Sequence, residues 1–252
     1  MHKYFEINKK GVNIRCKVYL ENKKDVDKAV IFFTGFAGHK DNNAAAKFAD
    51  KLLSKHKRSA LITFDWPAHG DDVKKKISLA DCDTYLDLVV SETASMYPQA
   101  ELFAYATSFG GYLLLKYIHE HGDPFKKAAL RCPAVNMYDT LMRRIVSNND
   151  MEKLAKGKDA AVGFDRKVVV TPSFLEELKA LDIRKWDYLD YADDILIIHG
   201  TKDEVVPIQE SKDFAENNII EFVTVENADH RFQDPVLMSL ANKHVLEFFG
   251  LA

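Results

Sequence analysis

The chain has 252 residues, 47% of them hydrophobic, and a formal net charge of −3. That is enough apolar material for one large core, and too little positive charge to suggest a nucleic-acid surface. No apolar run approaches bilayer-spanning length, and Cys16, Cys82 and Cys132 are widely spaced, so the composition excludes a membrane span, a disulfide framework and a zinc site.

Taken in chain order, segments of strand and helix character alternate. Residues 4–7 and 12–20 read as an opening β-hairpin. Residues 29–33, Ala-Val-Ile-Phe-Phe, form a continuous apolar run that ends at Thr34-Gly35, the pattern of a buried parallel strand. A helix follows over 43–54, with Ala45, Phe48, Ala49, Leu52 and Leu53 on one face, then a strand over 59–64. After a polar loop, residues 86–96 lie within a helix. Residues 101–105 read as a short buried strand, 112–118 as an apolar helix, and 128–132 as a strand that Pro133 stops. Strands over 195–198 and 222–225 enclose a helix near 209–216, and a helix over 235–249 closes the chain. Such alternation predicts right-handed crossovers and a mostly parallel α/β sheet of about eight strands, covered by helices on both faces.

Residues 134–184 break this rhythm. Met137, Tyr138, Leu141, Met142 and Ile145 recur at helical spacing, and Lys167-Val168-Val169-Val170-Thr171 reads as a short strand suited to a hairpin. An insertion of this length predicts a lid over a core formed by 1–133 and 185–252.

The junction between the 101–105 strand and the 112–118 helix carries Ala106-Thr107-Ser108-Phe109-Gly110. A serine between small residues at a sharp strand-to-helix turn matches the nucleophile elbow, G-x-S-x-G, with Ala106 in the first glycine position. The turn presents the hydroxyl at a helix N-terminus, where developing negative charge is stabilised. A glycine-containing turn with an incidental serine satisfies the same pattern, so the partners decide.

A serine hydroxyl needs a base, and the base needs an orienting group. Asp203 lies in the loop after the 195–198 strand and His230 in the loop after the 222–225 strand, at the sheet edge where catalytic groups of open α/β sheets gather. The order Ser108, Asp203, His230 is that of the nucleophile-elbow hydrolases. Glu204 competes with Asp203, which its place in the loop favours. His69 is the rival to His230 and reads as a residue that pins its loop, while His199 reads as a structural hydrogen-bond donor. An oxyanion hole needs two inward N–H groups. The amide of Phe109, directly after the serine, and that of Phe36, in the loop after the 29–33 strand, are the candidates.

These motifs resemble the α/β-hydrolase superfamily over essentially the entire chain. Thr34-Gly35-Phe36-Ala37-Gly38 stands where the superfamily has H-G-x-x-G, and residues 65–71 look like its D-x-x-G-H-G-x-S loop. Residues 200–207 resemble its G-x-x-D-x-x-V-P segment and 227–232 its x-A-x-H-x-F ending. The closest likeness is to bacterial esterases of the feruloyl and cinnamoyl type, which are similar to serine aminopeptidases and monoacylglycerol lipases. Thr34 replaces the usual histidine, Ala106 the first elbow glycine, and Pro67-Ala68 alters the loop before His69; none removes Ser108, Asp203 or His230.

The resemblance implies a serine hydrolase that cleaves carboxylic esters of small or aromatic acids, with hydroxycinnamoyl esters as one substrate class. Peptidase or thioesterase activity on the same fold, or a non-catalytic binding protein, are the alternatives. No metal or cofactor is expected. The expected partner is a small-molecule ester rather than nucleic acid, a homodimer is left open, and the free thiols suit the reducing cytoplasm. By position, Met137, Tyr138, Leu141, Met142 and Phe164 are expected to form an apolar acyl pocket.

Overall fold

The computed structural model describes residues 1–22, 25–72 and 74–252. Strands β1 (His2–Lys9) and β2 (Val12–Leu20) form the predicted hairpin, pairing from His2 with Tyr19 to Lys9 with Val12. β3 (Lys28–Phe33) leads through a loop to α1 (Asn43–Lys55), whose first turn is capped by the Asn42 side chain accepting from the Ala44 and Ala45 amides. β4 (Ser59–Phe64) and α2 (Leu79–Met96) follow. This helix starts well before residue 86, because Ser78 caps it through the Asp81 amide, a local signal of the usual N-cap type. β5 (Glu101–Thr107), α3 (Phe109–His121) and β6 (Lys127–Arg131) complete the first half.

The segment between residues 134 and 184 stands apart from the main sheet. It contains α4 (Met137–Thr140), α5 (Asn148–Ala155), the antiparallel pair β7 (Ala160–Val162) and β8 (Val168–Val170), and α6 (Pro172–Ala180). The hairpin expected around residues 167–171 is therefore present. The single amphipathic helix expected over 137–145 is instead a turn of α-helix followed by a π-helical turn at Leu141–Ile145, closed by Val146 N–H to Leu141 O at 2.9 Å. The wider turn takes Ile145 out of phase with Met137 and Leu141. β9 (Ile195–Gly200), α7 (Ile208–Asn218), β10 (Glu221–Val225) and α8 (Pro235–Phe248) finish the fold.

The main sheet has the order β1-β2-β4-β3-β5-β6-β9-β10. β2 pairs antiparallel with β4, and every pair from β4 to β10 is parallel. Alternate residues of the central strands feed two separate cores. Ala29, Ile31 and Phe33 of β3 join α2 and α3 on one face, whereas Val30 and Phe32 join α1 and α8 on the other. Each fully buried aliphatic or aromatic side chain contributes on the order of 2 kcal/mol of transfer free energy. Continuous burial of β4 and β9 follows from a parallel sheet covered on both sides. The crossovers all bring strand C-termini to one edge, which therefore collects the loops after β3, β4, β5, β6, β9 and β10.

Candidate active site

Ser108 sits between β5 and α3 with φ 51° and ψ −116°, a conformation that L-residues adopt only when their surroundings enforce it. The packing around the turn shows why small residues flank it. A Cβ added at Gly110 would lie 2.5 Å from the Phe33 carbonyl oxygen and 2.7 Å from that of Thr34, so α3 can approach β3 only through a glycine. Ala106, in the first glycine position of the motif, is fully buried and fits with its single methyl. The serine amide donates to Arg131 O at 3.1 Å, and its carbonyl accepts from Gly111 and Tyr112 at 2.9 and 3.2 Å. The backbone is thus fixed on both sides of the hydroxyl.

From the β10 loop, His230 brings Nε2 to 3.1 Å from Ser108 Oγ, while its Nδ1 lies 2.7 Å from Asp203 Oδ2. The structure therefore brings Ser108, His230 and Asp203 into one hydrogen-bonded chain. Asp203 is completely buried as a side chain. Its Oδ1 accepts from the amides of Val205 and Val206, both at 2.8 Å. Its Oδ2 lies 3.0 Å from Nε2 of buried His199. Burial alone would push this carboxyl up, but the hydrogen bonds from His199 and His230 hold it well below the usual carboxylate range. His199, which reads from sequence as a structural hydrogen-bond donor, has Asp203 as an acceptor, along with Val206 O at 3.1 Å.

The two amides expected to face a developing oxyanion lie beside the serine. Phe109 is the first residue of α3, so its N–H has no acceptor within the helix. The loop after β3 passes close to the elbow: a Cβ at Gly35 would lie 3.2 Å from Ser108 Cβ, which puts Phe36 next in the chain against the site. This loop is held from behind. Buried Asp65 accepts from the amides of Lys40 and Asp71 at 2.7 and 2.9 Å and pairs with Lys40 Nζ at 3.1 Å. Trp66 Nε1 donates to Thr34 O at 2.9 Å.

His69 makes no hydrogen bond with Ser108, His230 or Asp203 among the described residues. Its Nδ1 lies 2.8 Å from Pro67 O, and its ring stacks on Phe109 and meets Phe36 edge-on, with centroids 6.4 and 5.5 Å away. It packs its loop against the two residues that carry the candidate amides. Burial pushes this imidazole down to about 4, with the Pro67 carbonyl offsetting only part of the effect.

A cavity of about 570 Å³ opens at Ser108 and His230, between the β3 loop, the 163–166 turn and the start of α8. Of the five residues expected to form an acyl pocket, Phe164 alone lines it, joined by Ile145. Met137, Tyr138, Leu141 and Met142 do not line this cavity. Met137 and Leu141 are buried in the main core, with Tyr138 and Met142 packed against it. The apolar stripe read as a pocket wall is spent on anchoring its own segment, the ordinary fate of an amphipathic helix face.

Cys132, Asp203 and His230 each bring one atom suited to a metal within 4.8 Å of the others. Their chemistry does not favour an ion. Burial first, and the Asp203 charge second, push the Cys132 thiol well above its ordinary value, and the thiolate is the ligand form. Both Asp203 oxygens are already accepting hydrogen bonds. All three cysteines are free and buried, as expected of small apolar residues.

The fold is that of several solved hydrolases. Est1E from Butyrivibrio proteoclasticus with ferulic acid bound is 18% identical, with a TM-score of 0.77 over 98% of this chain and 99% of that one. A soluble variant of monoglyceride lipase from Saccharomyces cerevisiae, in complex with a substrate analogue, is 14% identical, with a TM-score of 0.78 over 99% and 96%. The esterase Pf2001 of Pyrococcus furiosus is 18% identical, with a TM-score of 0.71 over 99% and 92%. At these identities the likeness establishes the α/β-hydrolase fold. No curated protein matches the chain by sequence. The profile of the prolyl oligopeptidase family matches residues 59–251, the stretch that contains the elbow serine, Asp203 and His230, and the chain belongs to that family.

Proposed function

We propose that the protein is a serine hydrolase that cleaves carboxylic esters through an acyl-enzyme. The observation that carries this reading is the unbroken chain from Ser108 Oγ to His230 Nε2 at 3.1 Å and from His230 Nδ1 to Asp203 Oδ2 at 2.7 Å, at the floor of a cavity. Ser108 Oγ attacks the carbonyl carbon as His230 Nε2 takes its proton, and Asp203 fixes the imidazole orientation and stabilises its cationic form. The oxyanion receives the Phe36 and Phe109 amides. Each such donor is worth roughly a hundredfold or more in rate. His230 then protonates the departing alcohol, and a water activated by the same imidazole releases the acid.

Residues 134–184 serve in this reading as a lid. The 163–166 turn lies against the β3 loop, since a Cβ at Gly163 would sit 3.5 Å from Ala37 Cβ. Asp165 pairs with Arg231, the neighbour of His230, at 2.9 Å, and the Arg231 guanidinium lies 5.4 Å from the Phe164 ring centroid. Aromatic walls from Phe36 and Phe164 suit an aromatic acyl group, and ferulic acid bound to Est1E makes hydroxycinnamoyl esters the first substrates to try. Membership of the prolyl oligopeptidase family favours a second reading, amide hydrolysis by the same groups.

A panel of p-nitrophenyl esters, methyl ferulate, acyl thioesters and aminoacyl amides, run with wild type and Ser108→Ala, tests both. Ester turnover that falls by about a thousandfold or more in the variant supports the first reading. Serine-dependent cleavage of amides alone supports the second. Turnover indifferent to Ser108 contradicts both.

A further inference from the structure

Among the described residues four cationic side chains are buried: Lys17, Lys40, Lys116 and Arg131. Among the described residues, three of them sit on carboxylates. Lys17 pairs with Asp41, Lys40 with Asp65 and Asp71, and Lys116 with Asp83 and Glu120. Arg131 has no such partner among the described residues. It is 5% exposed, ends β6, and lines the cavity together with Ser108. An ion removed from water without an opposite charge is costly, and buried charges are otherwise paired.

The contacts of Arg131 among the described residues are mostly apolar. Nη1 approaches Met238 Sδ at 3.0 Å and Tyr105 Oη at 3.5 Å, and the guanidinium lies 5.1 Å from the Phe232 ring centroid. Nε is a buried donor with no acceptor, and Nη2 makes no hydrogen bond among the described residues. Nε is closed off from the cavity, and Nη2 is the donor that remains to meet an anion's oxygen. The rest of the cavity agrees in sign. Its walls carry Lys47, Arg131, Arg166 and Arg231 against Asp41 and Asp165. Both acids already pair, with Lys17 and Arg231, which leaves Lys47, Arg131 and Arg166 as the excess positive charge. A positively charged cavity in a chain of net charge −3 concentrates anions.

We infer that Arg131 is the specificity-determining residue for a carboxylate on the substrate, so that the enzyme acts on acyl compounds bearing a free carboxylate within reach of the scissile carbonyl. The inference rests on the reading of Ser108 as nucleophile. The carboxylate completes the charge of Arg131, and the Met238, Phe232 and Tyr105 side chains around it strengthen that pairing by excluding water.

The test uses two pairs of esters on the full-length protein. In one pair the carboxylate lies on the acyl side: the mono-p-nitrophenyl ester of glutaric acid against p-nitrophenyl valerate. In the other it lies on the alcohol side: 4-carboxyphenyl butyrate against phenyl butyrate. The expected result is a kcat/KM at least tenfold higher for the carboxylate member of one pair. That preference collapses in Arg131→Met and is only partly kept by Arg131→Lys, which retains the charge but not the guanidinium's reach and planar shape. Binding of glutarate or 4-hydroxybenzoate to Ser108→Ala, followed by calorimetry, gives a readout independent of turnover. It should be lost on adding Arg131→Met. Inorganic phosphate binding more tightly than either carboxylate overturns the assignment. So does equal turnover of charged and neutral esters without carboxylate binding; Ser108-dependent hydrolysis of the neutral esters would then leave the nucleophile reading standing. Hydrolysis unaffected by Ser108→Ala would instead remove that reading itself.

Discussion

His199 Nε2 lies 3.0 Å from Asp203 Oδ2, with both side chains completely buried. The same oxygen receives His230 Nδ1 at 2.7 Å. His199 is therefore a positioning residue that holds the carboxylate on which His230 leans. Replacing it with Phe removes one donor to a buried acid, at a cost of about 1–3 kcal/mol. We expect kcat to fall about tenfold with KM little changed, because the geometry of the base is affected and the cavity is not. His199→Gln, which keeps an N–H, should recover much of the loss. Steady-state kinetics of the two variants check this, and equal losses in both would contradict a hydrogen-bonding role.

His69 predicts a signature in the pH dependence of stability. Its folded value is depressed from 6.5 to about 4. The folded state therefore favours the neutral ring, while the unfolded chain takes up a proton below about 6.5. The contribution is fully present above 6.5 and is lost as the pH falls from 6.5 to about 4. At about 1.4 kcal/mol per pH step the loss totals about 3 kcal/mol. Denaturant melts of wild type and His69→Phe across this window should converge as the pH falls, and parallel curves would contradict it.

Strain at the elbow predicts a trade between stability and activity. Ser108 holds φ 51° and ψ −116°, which glycine adopts without penalty. Ser108→Gly should raise stability by about 1 kcal/mol while eliminating turnover, since positive-φ strain of this kind is worth about 1–3 kcal/mol and the glycine gives back part of it as unfolded-state entropy. Thermal melts compared with Ser108→Ala, which keeps the Cβ, isolate the backbone contribution.

The 134–184 segment separates anchoring from recognition. Leu141 is fully buried, whereas Phe164 is 49% exposed and lines the cavity. Leu141→Ala should cost about 3 kcal/mol and leave the preference among acyl esters unchanged. Phe164→Ala should leave stability within about 0.5 kcal/mol and lower the preference for aromatic over small acyl groups. A reversal of these two outcomes would mean that Leu141, not Phe164, meets the substrate.

How much of this was legible in the sequence follows from what each feature depends on. Apolar runs such as residues 29–33 and 195–198 announced their strands directly, because a strand buried on both faces has no polar alternation. Ser108, Asp203 and His230 could be read from short motifs, since each follows a strand and strand ends share an edge. The 137–145 stripe misled, because amphipathic spacing reports that a face is buried but not against what. The His199–Asp203 contact depends on how a strand end meets its own loop, and the π-turn on packing around Ile145. Arg131 was invisible for a different reason. One charge at a strand end reads as solvated, and the absence of a carboxylate near it is a property of the assembled core alone.

A nucleophilic Ser108 activated by His230 should be marked selectively by an active-site reagent. Incubating wild type, Ser108→Ala and His230→Gln with a fluorophosphonate probe, then locating the adduct by peptide mass spectrometry, tests it most directly. The expected result is a single phosphonylated peptide carrying Ser108 in wild type, none in Ser108→Ala, and labelling slowed by at least about a hundredfold in His230→Gln. Folded wild-type protein that takes up no probe, or that carries it on another residue, would contradict it.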